Sequence, residues 1–192
     1  MVTMPSEAIP EKRWSEGLST VIETARRNDV RVAMRSFFER ADVRIAALPG
    51  TCWNKGACCR FGEYGHRLYV TALEVCYYLA MGEMGVSGAE DMCPHAYEGK
   101  CHARDRRPLG CRIFYCDPAA QQWQGPLTEE LLGELRQMHD ALGVPYFYVD
   151  WMTVLRMLGG VEAVPIVNEV KQYQRSNSFI ALGTPWARNG TD

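Results

Sequence analysis

No run of about 18 apolar residues occurs in the chain of 192 residues, so the sequence offers no helix that would span a bilayer. The opening stretch MVTMPSEAIPEKRW also lacks the apolar core of a secretion signal. Together these absences predict a cytoplasmic protein with no membrane partner. Charge of one sign is missing too: 21 Lys and Arg stand against 23 Asp and Glu, a formal charge of -2. Without a global basic field, nucleic acid is not an expected partner. There is no glycine-rich phosphate loop, no GxSxG and no HExxH, so nucleotide hydrolysis, serine hydrolysis and zincin chemistry lack their motifs. Finally, although the chain has 8 cysteines, no two stand in CxxC spacing. That argues against a thioredoxin-like redox pair and against a zinc ribbon, which is built on two close pairs.

What is present bounds the architecture. The length and the 47% apolar content suffice to bury one core, so residues 1–192 are expected to form a single domain. Within 11–48, Leu18, Val21, Ile22 and Ala25, then Val30, Met34, Phe37, Phe38, Ala41 and Ile45, recur at helical spacing and predict two amphipathic helices, with NDV as break and cap and Pro49-Gly50 as stop. A third helix is expected at TALE, where Thr71 and Glu74 have capping-box spacing, running until Gly82 and Gly85 end it. Over 127–160, Leu131, Leu132, Leu135, Met138 and Leu142 share one face of a helix ending at Gly143, and Asp150 is placed to cap a further helix, WMTVLRML. The stretch VPYFYV reads as a short strand. Residues 172–192 read as a loose tail. The fold class is thus mainly α, a single helical domain with irregular, cysteine-rich, metal-binding loops over 51–118.

The cysteines lie at 52, 58, 59, 76, 93, 101, 111 and 116. In a reducing compartment they are denied disulfides, which leaves metal ligation, catalysis or burial. Cys76, within LEVCYYLA, suits a core position. The others flank the short helix at 71–85, and one ion would draw its ligands from two distant loops that this helix lets meet. Arginines near the thiols, Arg60, Arg107 and Arg112, are placed to donate to sulfur and lower thiolate pKa, while Pro108 can set the turn between Cys101 and Cys111. A solvated basic loop or a phosphate patch is the plainer reading of the run HARDRRPLGCR.

The stretches KGACCRF, TALE, CPHAYEGKC and RRPLGCRIF, in that order, resemble the YkgJ-type cysteine-cluster family, described as a zinc- or iron-chelating domain. Its signature is similar to CxxCxxCC, followed by a cysteine, five residues, Arg-Pro, two residues and Cys-Arg. Here the second part reads Cys101, HARDR, Arg107-Pro108, Leu109-Gly110, Cys111-Arg112. The resemblance covers residues 52 to about 117. It implies a cysteine at 55, where this chain has Lys55. It also implies a cofactor, either an iron-sulfur cluster or zinc. The expected metal ligands are Cys58, Cys59, Cys101 and Cys111, then Cys52, Cys93 and Cys116, with His95 and His102 nearby and with Arg107 and Arg112 supporting the cofactor. Seven thiols exceed the four that one zinc requires, which tilts the choice toward a cluster.

Two other functions are weighed. Flagellin lysine methylases are similar in carrying such a cysteine cluster within a longer chain, which implies, loosely, a cluster-dependent modifying enzyme. The missing glycine-rich nucleotide motif speaks against a complete methylase. A disulfide-bonded exported domain ranks last for want of an export signal. His139 reads as a surface or core-edge residue, His66 as a lone histidine, and PYFYVDW as core rather than a pocket. The NGT sequon at 189–191 carries no weight in a cytoplasmic tail.

Overall fold

The computed structural model describes residues 11–81 and 92–159, with the side chains of 11–16 excepted. The expected tail at 172–192 and the glycine stop at Gly82 and Gly85 lie outside the described residues. In chain order the elements are α1 (Glu11–Ala25), α2 (Asn28–Ala46), α3 (Phe61–Tyr64), β1 (Tyr69–Thr71), α4 (Ala72–Ala80), β2 (Ala96–Tyr97), β3 (Lys100–Cys101), α5 (Leu109–Ile113), α6 (Gln121–Leu142), β4 (Tyr148–Asp150) and α7 (Trp151–Leu158). Two small antiparallel pairs, β1 with β4 and β2 with β3, are the sheets among the described residues, so the architecture is mainly α.

The centre is α4. Every one of its residues is buried, as expected of a helix that is apolar on all sides, and it packs against both α1 and α2. From α2 come Val30, Met34, Phe37, Phe38, Ala41 and Ile45, the stripe its sequence predicts. Each large side chain so buried contributes about 1.5–3 kcal/mol relative to exposure. Arg27, not NDV, occupies the N-cap of α2, and Asp29 falls in its first turn, where it meets the positive end of the helix dipole.

The start of α4 follows its sequence closely. Thr71 accepts from the Glu74 N–H, and Glu74 Oε2 accepts from the Thr71 N–H at 2.7 Å, completing the capping box. The other carboxylate oxygen of Glu74 accepts from the Leu109 N–H at 2.8 Å, so one buried side chain ties the start of α4 to the start of α5. Desolvation raises the pKa of Glu74, and its backbone donors work against that rise. The expected strand before Trp151 is β4, with Val70 opposite Val149, and Asp150 caps α7 by accepting from the Thr153 N–H at 2.9 Å.

Three expectations are corrected. First, the helix expected from residue 127 begins at Gln121 and carries Pro126 inside it. Tertiary anchors hold the extra turns despite the proline: the Trp123 indole donates to the Pro49 carbonyl at 2.7 Å and Gln124 Nε2 donates to the Tyr115 carbonyl at 2.8 Å. Second, His139 is 1% exposed rather than at the surface. Its Nδ1–H donates to the Val144 carbonyl at 2.9 Å, and Nε2 accepts from the Leu73 N–H at 3.4 Å. Both ring nitrogens are satisfied in the neutral form, and desolvation lowers the pKa of the ring. Third, the region over 51–118 is not uniformly irregular. It contains α3, α5 and the β2–β3 hairpin, whose turn residues Glu98 and Gly99 both have positive φ (48° and 71°). Two such residues are what a tight hairpin turn of right-handed twist requires.

Candidate metal centre

The cysteine region is closed at its ends before any thiol is considered. Asp117 Oδ2 accepts from the Thr51 N–H at 2.9 Å while its Oδ1 accepts from the Ala119 N–H, so one carboxylate joins the entry of the region to its exit. Gly50, at φ 114°, packs closely against Ala120, so a side chain there would be strained by the backbone and crowded by its neighbour.

Inside this closure, Cys58 and Cys59 lie on a 3-10 turn, Ala57–Cys59, entered through Gly56 at φ 67°. With three residues per turn, adjacent side chains are not forced to opposite faces as on a strand, and the two sulfurs are neighbours. The Cys59 carbonyl accepts from the Cys93 N–H at 2.8 Å. Asn54, itself at φ 53°, accepts from the Cys101 N–H at 3.4 Å. These two bonds stitch the loop after Pro49 to the segment that follows α4, which is how thiols distant in sequence meet.

Cys59 is the hub. It is buried, with the thiols of Cys101, Cys58 and Cys93 as its neighbours, and those neighbours raise its pKa far above the ordinary thiol value. The Cys59 S–H lowers its neighbours. Cys101 is brought down to about 6, by Cys59 first, then by the Ala103 N–H and the charges of Arg107 and Arg104. Cys58 falls to about 7, again through Cys59 and, to a smaller extent, Arg107. Cys93 is also lowered, by Cys59, by the His95 N–H and by the indole N–H of Trp151. Cys111 on α5 moves the other way, pushed up by desolvation and then by the charges of Cys93, Cys58 and Cys101. Exposed Cys116 is raised by desolvation and by Cys58 and Cys52.

Cys52, Cys58, Cys59, Cys101, Cys111 and Cys116 line one cavity of about 230 Å3. Cys93 touches Cys59 without lining it. Six of the seven expected ligands therefore line one cavity, with Cys93 beside Cys59. Cys76 is not among them: it is fully buried in α4, donates its thiol proton to the Val21 carbonyl, and is pushed up to about 12 by desolvation. His95 and His102 stand outside the cavity. His95 accepts from the Tyr78 hydroxyl at 2.7 Å and is lowered to about 4, mainly by desolvation, while His102 donates to the Tyr97 carbonyl.

The two arginines differ. Arg107 lines the cavity, and its Nε is the one buried side-chain polar atom with no hydrogen-bond partner among the described residues. Arg112 does not line it: its guanidinium is buried over the Phe38 ring, 4.1 Å from the centroid, paired with Asp42 at 2.5 Å and donating to the carbonyls of Arg107 and Asp105. It shapes the loop that carries Arg107 rather than facing the thiols. Lys55 also lines the cavity, its ammonium 5.1 Å above the Trp53 ring, and no carboxylate does.

The donor set suits a thiophilic metal: three thiols, Cys58, Cys93 and Cys101, biased toward thiolate, two cations, and an arginine N–H awaiting an acceptor. Among the described residues no three His, Cys, Asp or Glu side chains are already disposed around a common point as ligands of one ion, and all eight cysteines are free thiols. Sequence reasoning did not find Trp151, Asn54 or Asp117 at this site. The spacing of Cys and Arg carried no trace of them, because each arrives through a long-range contact. No helix among the described residues is long and apolar enough to cross a membrane. No protein-family model matches the chain, and no curated protein or solved structure matches it either.

Proposed function

We propose that this chain is a cysteine-cluster protein of the YkgJ type that binds an iron-sulfur cluster or zinc through thiolates from two loops, in the cytoplasm. The observation that carries the reading is the cavity itself. Six thiols and two cations line it with no carboxylate, and the buried Arg107 Nε lacks an acceptor. An anionic metal-thiolate group supplies that acceptor. Four thiolates on a divalent ion leave a charge of about -2, which needs nearby cations or donors when partly buried. Lys55 and Arg107 are such groups. Cys58, Cys59, Cys101 and Cys111 would hold the metal, with Cys52, Cys93 and Cys116 in reach. More thiols than one zinc needs favour a cluster over zinc. When bound, a cluster would supply electron transfer or Lewis acidity. The chain's own residues supply the thiols and, in Lys55 and Arg107, the compensating charge.

Anaerobic purification followed by a visible spectrum and metal analysis by mass spectrometry tests this. Near-stoichiometric metal that falls sharply in Cys59→Ser and Cys101→Ser supports it, while a folded, colourless, metal-free protein overturns it. Counting free thiols in protein taken directly from cells separates it from a disulfide-bonded form.

A further inference from the structure

A second cavity, of about 280 Å3, lies on the other side of the cysteine site and shares Cys58, Cys111 and Phe114 with it as a common wall. Its size is close to the lower end of small-molecule pockets, roughly 300–1,000 Å3. The inner part is apolar and aromatic: Phe61, Leu109, Ile113 and Leu132 form it, and Tyr69 and Tyr148 stack at 5.5 Å on one side. A flat apolar body is what such a surface accepts.

Its polar groups have one bias. Glu74 is the acid in the wall, but both its oxygens are already taken by the N–H groups of Thr71 and Leu109. The cation is Arg67, its side chain 70% exposed and paired with Asp150 at 3.8 Å among the described residues. Asp150 has its other oxygen committed to capping α7. Arg67, His66 and Phe61 also line an adjoining cavity with Arg156 and Asp150, so the mouth carries two arginines against one carboxylate. His66 donates from Nε2 to the Cys58 carbonyl at 3.0 Å, which sets the ring in the wall.

Gly110 on α5 lets Leu68 pack closely against the helix, since a side chain there would run into Leu68 Cδ1. Gly125, exposed on α6 at the cavity wall, has nothing within 4 Å of the place a Cβ would take and stands directly before Pro126, where a side chain would crowd the proline ring.

We propose that this cavity binds a small planar organic carboxylate, with its ring against the Cys58–Cys111 wall and its carboxylate on Arg67. The ligand would then sit one wall away from the thiol site. The inference does not rest on the metal reading, since the carboxylate is recognised by Arg67 and not by a thiol.

Benzoate is the probe, with benzamide as its uncharged isostere and benzylamine as its cationic counterpart, each titrated into the isotopically labelled full chain and followed by amide chemical shifts. Benzoate is expected to saturate with a Kd of about 1 mM or tighter, shifting amides of Arg67, Gly110 and Gly125. Benzamide and benzylamine should bind at least about tenfold more weakly, since a hydrogen-bonded charge pair discriminates by that much or more. Arg67→Gln should weaken benzoate about tenfold and leave benzamide unchanged. Gly125→Leu, which places a large side chain at the cavity wall, should abolish benzoate binding in protein whose amide spectrum keeps the parent fold. Shifts mapping elsewhere, equal binding of benzoate and benzamide, or unchanged benzoate affinity in Gly125→Leu would each overturn it. A metal-free preparation that binds benzoate as expected sinks the metal reading alone.

Discussion

If Cys59 is the proton holder of the thiol group, removing its S–H must release the thiolates around it. The side chain of Cys59 is the largest cause of the lowered pKa at Cys101, at Cys58 and at Cys93 alike. A hydrogen bond to a charged group contributes about 1.5–3 kcal/mol, and one pKa unit corresponds to about 1.4 kcal/mol. A single S–H cannot serve three acceptors at once, so the one to two units it can supply are shared among them. For metal-free Cys59→Ala, the pKa of Cys101 is therefore expected to rise by about one unit from its value of about 6. Cys59→Ser keeps a donor at the same place and should change it little. The assay is the alkylation rate of each cysteine as a function of pH, read by mass spectrometry on reduced, chelator-treated protein. The sign for stability follows: a thiol whose folded pKa is depressed stabilises the fold above its ordinary pKa, and that contribution is lost as pH falls through about 6. An inflection for Cys101 that is the same in Cys59→Ala as in the parent, or one near the ordinary thiol value of about 8.5 in the parent, would refute the reasoning.

Other outcomes follow from groups outside the thiols. Glu74→Gln offers one acceptor where two backbone N–H groups need one each, so urea unfolding should show a loss of about 1–3 kcal/mol; no loss would mean that Leu109 does not depend on that carboxylate. His95 has a folded pKa depressed to about 4 from 6.5, so its stabilising contribution is full above pH 6.5 and is lost as pH falls toward 4. After allowing for partial solvent access, about 2 kcal/mol should disappear over that window, and His95→Gln should flatten the dependence. Arg112→Met should cost about 3 kcal/mol by leaving the carbonyls of Arg107 and Asp105 without their donor. Folded fractions of this variant that retain full stability to urea would contradict the role given to Arg112.

Legibility tracked the length of the interaction. The buried stripe of α2, the capping box of Thr71 and Glu74, the Asp150 cap and the burial of Cys76 are local patterns, and each is found as its spacing predicts. The hairpin carrying Cys101 has strands of two residues, too short for any periodicity, and only Glu98-Gly99 hinted at a turn. Pro126 misplaced the start of α6 because local propensity was overruled by Trp123 and Gln124 reaching Pro49 and Tyr115. His139 gave no sign of burial, since its ring is held by Leu73 of α4 and by Val144 in the turn just past the end of α6. The same holds at the site: seven cysteines could be named from the sequence, but not that Cys59 would lie between three others, nor that Arg112 would turn away to Asp42.

Lys55 gives the sharpest test of how the ligands are counted. The resemblance implies a cysteine there, and exchanging a thiolate for an ammonium changes the charge of the cavity by two units. The lysine does not reach toward the sulfurs as a substitute, for its ammonium is held over Trp53. Meanwhile Cys93, from the segment after α4, is tied to the Cys59 carbonyl at 2.8 Å and has its sulfur against Cys59. If Cys93 supplies what position 55 does not, Lys55→Cys adds a thiol the site does not use. Metal content and visible spectrum should then match the parent, while Cys93→Ser lowers the metal content severalfold. The double variant Lys55→Cys with Cys93→Ser should regain little, because a thiol at 55 enters from the other loop and does not restore the contact at the back of Cys59. Recovery of full metal content in the double variant would show that the two positions are interchangeable and that Cys93 does not hold its place through Cys59.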